Sequence, residues 1–143
     1  MTGPRALALA VVAGIVTLVV VVLRGSGGIP DRPVPVAWDR EVCGHCQMHV
    51  GEPRHAVQLV TTDGAVTNFD DVGCALRYLA ERAPAIHRLW FHGEGDAWIA
   101  ADEVGFVPSA GPTPMGSNLA AVEASTPGAR TLADVRAGLG GAR

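Results

Sequence analysis

The sequence predicts an α+β domain behind an N-terminal apolar segment, and three observations carry that prediction. An uncharged apolar run opens the chain, a hairpin signal between two short apolar segments follows, and a capped amphipathic segment comes next. The chain has 143 residues, which leaves room for one domain of the common size of about 100–150 residues. The order strand, strand, helix, strand is typical of an α+β layer fold.

The N-terminal segment, residues 1–24, is predicted to be a single-pass membrane anchor. Residues 6–23 carry no charge, and at about 1.5 Å per residue they cover most of a hydrocarbon core about 30 Å thick. The segment after Arg24 lacks the small-residue cleavage site of a secretory signal peptide. Because Arg5 and the free amino group precede the run, the positive-inside rule predicts that the remaining chain lies on the extracytoplasmic face of the cell membrane.

Residues 25–37 are predicted to be a Gly/Pro linker, and residues 38–143 form the predicted domain. Residues 56–62 alternate and are β-branched, which predicts a strand. Asp63-Gly64 is a two-residue hairpin signal, and residues 65–69 return as the partner strand.

A helix of about twelve residues follows, capped by Asp70 or Asp71 and ended by Pro84. Two further strands are predicted over residues 87–92 and 97–100. The pattern beyond residue 101 is ambiguous, with a strand over residues 119–124 and a short helix over residues 132–139 as its candidate elements.

Charge excludes one function class, and motif content gives no support to the common hydrolase and phosphate-transfer sites. All eleven basic residues are Arg, and after residue 24 nine Arg stand against fourteen Asp and Glu, a net charge of −5. A nucleic-acid-binding protein needs a basic surface, so that class is excluded. The sequence contains no Ser/His/Asp set, phosphate-binding loop or paired-carboxylate site, so the chain is predicted not to be an enzyme.

Five potential metal ligands lie within seven residues, namely Cys43, His45, Cys46, Met48 and His49. Thiolate and thioether groups are soft donors that together select Cu(I) over harder ions. Met48 decides between copper and zinc, because a thioether adds almost nothing to Zn(II) binding. The segment therefore predicts a Cu(I) site built on Cys46 and Met48, with Cys43 and His49 as further candidate ligands.

Two other residues bear on that site. Met115 lies in a rigid Pro-containing loop, residues 111–116, that is predicted to direct a thioether at a metal or at a partner. Cys74 lies on the apolar side of the first helical turn and is interpreted as a buried structural cysteine. Asp70 and Asp71 are interpreted through helix capping rather than as a catalytic pair.

Three other functions of the cysteine pair stay open. A structural metal-binding module would use a zinc site completed by Cys74 and a histidine. The Cys-Gly-His-Cys order of residues 43–46 is also the motif of protein disulfide isomerases and predicts a membrane-tethered thiol–disulfide oxidoreductase, although the strand that precedes it in that fold has no counterpart here. The third is a structural disulfide between Cys43 and Cys46.

Four separated motifs occur in a characteristic order: Cys46-Gln47-Met48, residues 68–74 (NFDDVGC), residues 98–101 (WIAA) and residues 113–116 (TPMG). Together they resemble the NosL family, the membrane-anchored copper chaperones that accompany nitrous-oxide reductase. The resemblance spans about residues 40–125. It implies a fold of two small ββαβ-like halves, with Cu(I) held by Cys46 and Met48.

The resemblance also implies a function. Such a chain takes Cu(I) from a donor and passes it to an acceptor cuproenzyme, which is nitrous-oxide reductase or its assembly machinery. The sequence departs from the family's pattern at two points. Family members are often lipoproteins whereas this chain is predicted to use a helical anchor, and they usually have Gly at the position of Gln47.

Overall fold

The structure, a computed structural model, describes residues 3, 11–20 and 28–140. Residues 11–20 form helix α1, which belongs to the predicted anchor. Apart from residue 3 and this helix, the predicted anchor lies outside the described residues. Among the described residues, no helix is both long enough and apolar enough to cross a membrane.

The first sheet is built from the hairpin and the strands that follow it. Its strands are β1 (Val57–Thr61), β2 (Val66–Phe69), β3 (Ile86–His92) and β4 (Trp98–Ala100). They pair antiparallel in the order β2-β1-β3-β4, so β1 is covered on both edges and is buried over most of its length. All four strands lie where the sequence predicts them.

The turn between β1 and β2 differs from the predicted two-residue hairpin. The N–H of Thr61 donates to the carbonyl of Ala65 at 3.0 Å, which closes a three-residue loop. Gly64 has φ 86° while Asp63 has a negative φ, whereas a two-residue type I′ turn needs positive φ at both central residues. The loop therefore takes the common three-residue form with glycine in the left-handed position.

Helix α2 (Val72–Arg82) packs against this sheet and confirms the predicted helix. Asp71 is its N-cap, with an extended backbone and a carboxylate that accepts a 2.6 Å hydrogen bond from the N–H of Gly73. The helix ends at Ala83, a left-handed residue directly before Pro84, which cannot continue it. The cap places the first turn of α2 directly after the end of β2.

The second sheet follows in the ambiguous part of the sequence. It contains β5 (Val104–Pro108), β6 (Leu119–Glu123) and β7 (Arg130–Thr131) in the order β6-β5-β7, and helix α3 (Leu132–Gly140) comes next. The first half of the domain runs strand, strand, helix, strand as expected. The second half instead reaches its helix through β7, and within the described residues no strand follows α3.

The two sheets share one hydrophobic core. Phe91 of β3 and Phe106 of β5 are fully buried and meet edge to face, with ring centroids 5.1 Å apart. A short 3₁₀ helix (Pro53–His55) leads into β1 from the segment that carries Cys43 and Cys46. That segment lies over the end of β2, and the core beneath it supports the candidate site.

Candidate metal centre

The segment from Cys43 to His49 forms a tight loop closed by backbone hydrogen bonds. Val42 and His49 pair as an isolated antiparallel bridge, and the N–H of Cys43 donates to the carbonyl of Met48 at 2.7 Å. Gln47 has φ 65°, in the left-handed region that favours glycine. The turn therefore forms with Gln47 at the position where the NosL family usually has Gly.

Gly44 brings this loop against β2. Its N–H donates to the carbonyl of Asn68 at 2.9 Å. A Cβ at this position would overlap the methyl group of Thr67 and would lie 3.1 Å from the ring of Phe69. The close approach requires glycine, because any other side chain would lift the loop off the strand.

A network of hydrogen-bonded polar side chains connects the segment before this loop to the sheet. Glu41 accepts a hydrogen bond from the side-chain amide of Asn68, whose oxygen accepts from Gln58 at 2.9 Å. Gln58 is fully buried and exchanges two hydrogen bonds with the backbone of Val34. The polar groups of this network therefore have hydrogen-bond partners, which a buried polar network needs in order to stabilise one conformation.

Four potential ligand atoms converge beneath the loop. They are the sulfurs of Cys43, Cys46 and Cys74 and a carboxylate oxygen of Asp70, and all lie within 4.8 Å of one another. Cys43 and Cys46 come from the loop, Asp70 from the residue after β2, and Cys74 from the first turn of α2. The sulfur of Cys46 lies 3.5 Å from each carboxylate oxygen of Asp70. We call these four residues the cysteine cluster.

Burial differs within the cysteine cluster. The exposed fractions of Cys43 and Cys74 are 0% and 1%, and Asp70 is equally buried. Cys46 is half-buried, so the cluster is reached from the side of this residue.

The buried groups shift one another's protonation. Interaction with the Cys74 thiol, opposed by burial, lowers the pKa of Cys43 to about 4. Burial is the main reason that the pKa of Cys46 is raised to about 11. The pKa of Cys74 is also raised, mainly by its interaction with Cys43 and secondly by burial. Burial together with the neighbouring Cys43 raises the pKa of Asp70 to about 6. Of the three thiols, Cys43 is therefore the one whose pKa is lowered, whereas the pKa values of Cys46 and Cys74 are raised.

The structure brings together part of the predicted ligand set. Cys43 and Cys46 both lie in the cysteine cluster, whereas His49 is exposed and lies outside it. Met48 follows in the same loop and is 51% exposed. Met115 is half-buried against the core, and its N–H donates to the carboxylate of Asp71 at 3.1 Å.

Sequence reasoning missed two members of the cluster. Cys74 is buried, as its interpretation as a structural cysteine requires, but its sulfur also joins the two loop cysteines. Of the two neighbouring aspartates, only Asp71 caps the helix, and Asp70 faces the sulfurs. Asp70 and Cys74 are four residues apart, one at the end of a strand and the other in the first turn of the following helix. This spacing is the signal that could have placed both residues at one site.

The geometry also bears on the alternatives. The zinc alternative expects Cys74 and a histidine, but the structure supplies Cys74 and Asp70. All three cysteines are free in the structure. Residues 43–46 form a turn rather than the start of a helix, unlike the disulfide isomerase arrangement.

Comparison with known proteins shows where this fold occurs. No family model matches the chain, and no curated protein matches it. Among solved structures, the copper chaperone NosL from Shewanella denitrificans is similar, with a TM-score of 0.55 at 19% sequence identity. The domain has a NosL-like fold. The similarity covers 64% of this chain and 79% of that one.

The NosL-like fold explains why the cluster forms from separate parts of the chain. It pairs the cysteine loop with β2 and continues β2 directly into α2, so Asp70 and Cys74 arrive under Cys43 and Cys46. Sites built from several cysteine sulfurs suit soft metal ions.

Proposed function

We propose that this protein is a membrane-anchored, extracytoplasmic metallochaperone that binds Cu(I) and delivers it for the maturation of nitrous-oxide reductase or a similar cuproenzyme. The observation that carries the proposal is the convergence of three cysteine sulfurs within 4.8 Å on a NosL-like fold. Thiolates bind Cu(I) in preference to harder ions. The sequence motifs and the negative charge of the domain agree with this function.

Delivery requires that the metal also leaves, and the exposure of the loop supports this. Cys46 is half-buried, and the next sulfur along the loop, that of Met48, belongs to a side chain that is 51% exposed. An acceptor's ligand can approach the metal from this side. A fully buried cage of four ligands would hold copper but would offer no such approach.

The same geometry disfavours thiol–disulfide exchange. An exchange enzyme attacks its substrate with an accessible thiolate of low pKa. Here the residue with the lowered pKa, Cys43, is fully buried, whereas the accessible Cys46 has its pKa raised to about 11. Accessibility and thiolate character therefore lie on different residues.

The test of metal choice is a competition titration of the reduced, full-length chain against a Cu(I) chelator under anaerobic conditions. We expect one Cu(I) per chain and a strong preference for Cu(I) over Zn(II), because Cu(I) needs only two or three of the sulfurs whereas Zn(II) would need all four donors of the cluster. The Cys43→Ser/Cys46→Ser variant is the negative control. Zn(II) binding as tight as Cu(I) binding at neutral pH would refute the copper proposal.

The test of delivery uses cells that respire nitrous oxide under limited copper. Met48→Leu keeps the side-chain volume and all cysteines, so we expect a folded protein that loads less copper into the reductase. Copper loading of the reductase is compared with that in cells carrying the wild-type chain and in cells from which the chain has been deleted. Normal copper loading in the deletion strain would show that nitrous-oxide reductase is not the acceptor.

A further inference from the structure

The buried part of the cysteine cluster suggests where copper rests between uptake and release. Cys43 and Cys74 are the two sulfurs closed to solvent, with exposed fractions of 0% and 1%. Cu(I) accepts as few as two soft ligands, so this pair is sufficient for a site. Burial protects a metal held there from competing ligands in solution.

Both residues of the pair are held rigidly. Cys43 donates its N–H to Met48 at 2.7 Å and accepts at its carbonyl from the N–H of Gln47 at 3.2 Å. Cys74 lies in the first turn of α2, whose N-cap is the fully buried Asp71. Ligands that are already ordered lose little conformational entropy when the metal binds, which favours tight binding.

Cys46 differs from this pair in both respects that matter for exchange. It is half-buried, and it lies in the turn next to exposed Met48. Its sulfur is nevertheless within 4.8 Å of both buried sulfurs. A copper ion can therefore be bound by Cys46 and Cys43 together before it moves further in, and the Cys46 thiol releases its proton to solvent as it binds.

We infer that Cys43 and Cys74 form an inner Cu(I) position and that Cys46 is the exchange ligand through which copper enters and leaves it. The inference rests on the proposed Cu(I)-binding function. In the inward step the bond between copper and the Cys46 sulfur breaks, and a bond to the Cys74 sulfur forms. The proton of the Cys74 thiol passes to the Cys46 thiolate, and copper remains Cu(I) throughout.

Serine variants of the full-length, reduced chain separate the two roles. Loss of a residue that only hydrogen-bonds to a metal ligand typically lowers metal affinity about 10–100-fold. Cys74→Ser removes a ligand itself, so it should lower Cu(I) affinity about 100-fold or more. Cys46→Ser should keep Cu(I) affinity within about tenfold, because the inner pair is intact, and should slow copper transfer to a chelator. Thermal unfolding of each metal-free variant shows whether it is folded, and Cys74→Ala is the second variant if Cys74→Ser is not.

X-ray absorption at the copper edge provides a measurement that does not depend on the Cys74 variants. With one Cu(I) bound, the wild-type chain and Cys46→Ser should both show copper bound by two sulfurs. Loss of tight Cu(I) binding in Cys46→Ser, with wild-type affinity in Cys74→Ser, would overturn the inner position and leave the proposed function standing. Failure of the wild-type chain to prefer Cu(I) would overturn both.

Discussion

The N–H of Met115 donates a 3.1 Å hydrogen bond to the carboxylate of Asp71, the residue that caps helix α2. The same carboxylate accepts from the N–H of Gly73 at 2.6 Å, so one side chain joins the loop of Met115 to the helix that carries Cys74. Asp71 is fully buried. Burial raises its pKa, but hydrogen bonds from Thr113, Ser117 and these two N–H groups outweigh burial and leave the pKa below its ordinary value.

Asp71→Ala should therefore destabilise the metal-free domain. The variant loses a helix cap and leaves the half-buried N–H of Met115 without its acceptor, which together cost about 1–3 kcal/mol in free energy of unfolding. Urea unfolding measures this loss. The matched control is Asp134→Ala, which removes an exposed carboxylate that bonds Thr131 at the start of α3 and should cost less. Equal losses in the two variants would show that the link to Met115 contributes nothing.

His55 should make the stability of the domain depend on pH. It is buried and neither ring nitrogen has a hydrogen-bond partner, and burial, with the positive charge of Arg54, lowers its pKa below the ordinary value. The unfolded chain takes up this proton below about pH 6.5 while the folded chain resists it, so stability falls as pH falls below that value. His55→Leu should remove this part of the slope.

The comparison between wild type and His55→Leu isolates the histidine from Asp70. The raised pKa of Asp70, about 6, acts in the opposite direction, because a carboxyl that is harder to ionise when folded destabilises the domain as pH rises. Urea unfolding of both proteins at several values between pH 5 and pH 7.5 measures the difference. Parallel curves for the two proteins would contradict the role of His55.

Gln47→Gly should stabilise the metal-free domain. A non-glycine residue in the left-handed region costs about 1–2 kcal/mol, and Gln47 has φ 65°. The variant also loses the 3.2 Å hydrogen bond from the Gln47 side chain to the carbonyl of Cys43, so we expect a net gain of about 0.5–1 kcal/mol. Thermal unfolding is the measurement. Gln47→Ala keeps the strain and loses the hydrogen bond, so it should be less stable than wild type, and the opposite order of the two variants would refute the argument.

Gly44→Ala should weaken both stability and Cu(I) binding, because its Cβ would overlap the methyl group of Thr67. Overpacking of this kind typically costs about 1–3 kcal/mol, and here it would lift the loop that carries Cys43 and Cys46. Thr67→Ser removes the methyl group in question. The double variant Gly44→Ala/Thr67→Ser should therefore recover part of the loss, and strictly additive effects in this double-mutant cycle would show that the two residues do not couple.

Local patterns in the sequence determined much of the first half of the domain. Alternation in residues 56–62 and the Asp63-Gly64 signal predict β1 and β2, and the capping residue with Pro84 predicts α2, because each depends on neighbours within a few positions. The same holds for Cys43 and Cys46, whose separation by two residues brings them together in any turn. The two-residue form of the hairpin was wrong, because backbone hydrogen bonding between Thr61 and Ala65 selects a longer loop.

Only the tertiary structure decided which residues complete the site. Asp70 and Cys74 lie 24 or more positions from Cys46, and they reach it because Gly44 docks on Asn68 and β2 continues directly into α2. Strand β5 was also not predictable from the sequence, because it contains Gly105, a residue that is unfavourable within strands. Glycine is needed there because a β-carbon would come 2.7 Å from Ala129. Contacts of this kind depend on close approach between segments that are distant in the sequence, and local residue patterns do not predict that approach.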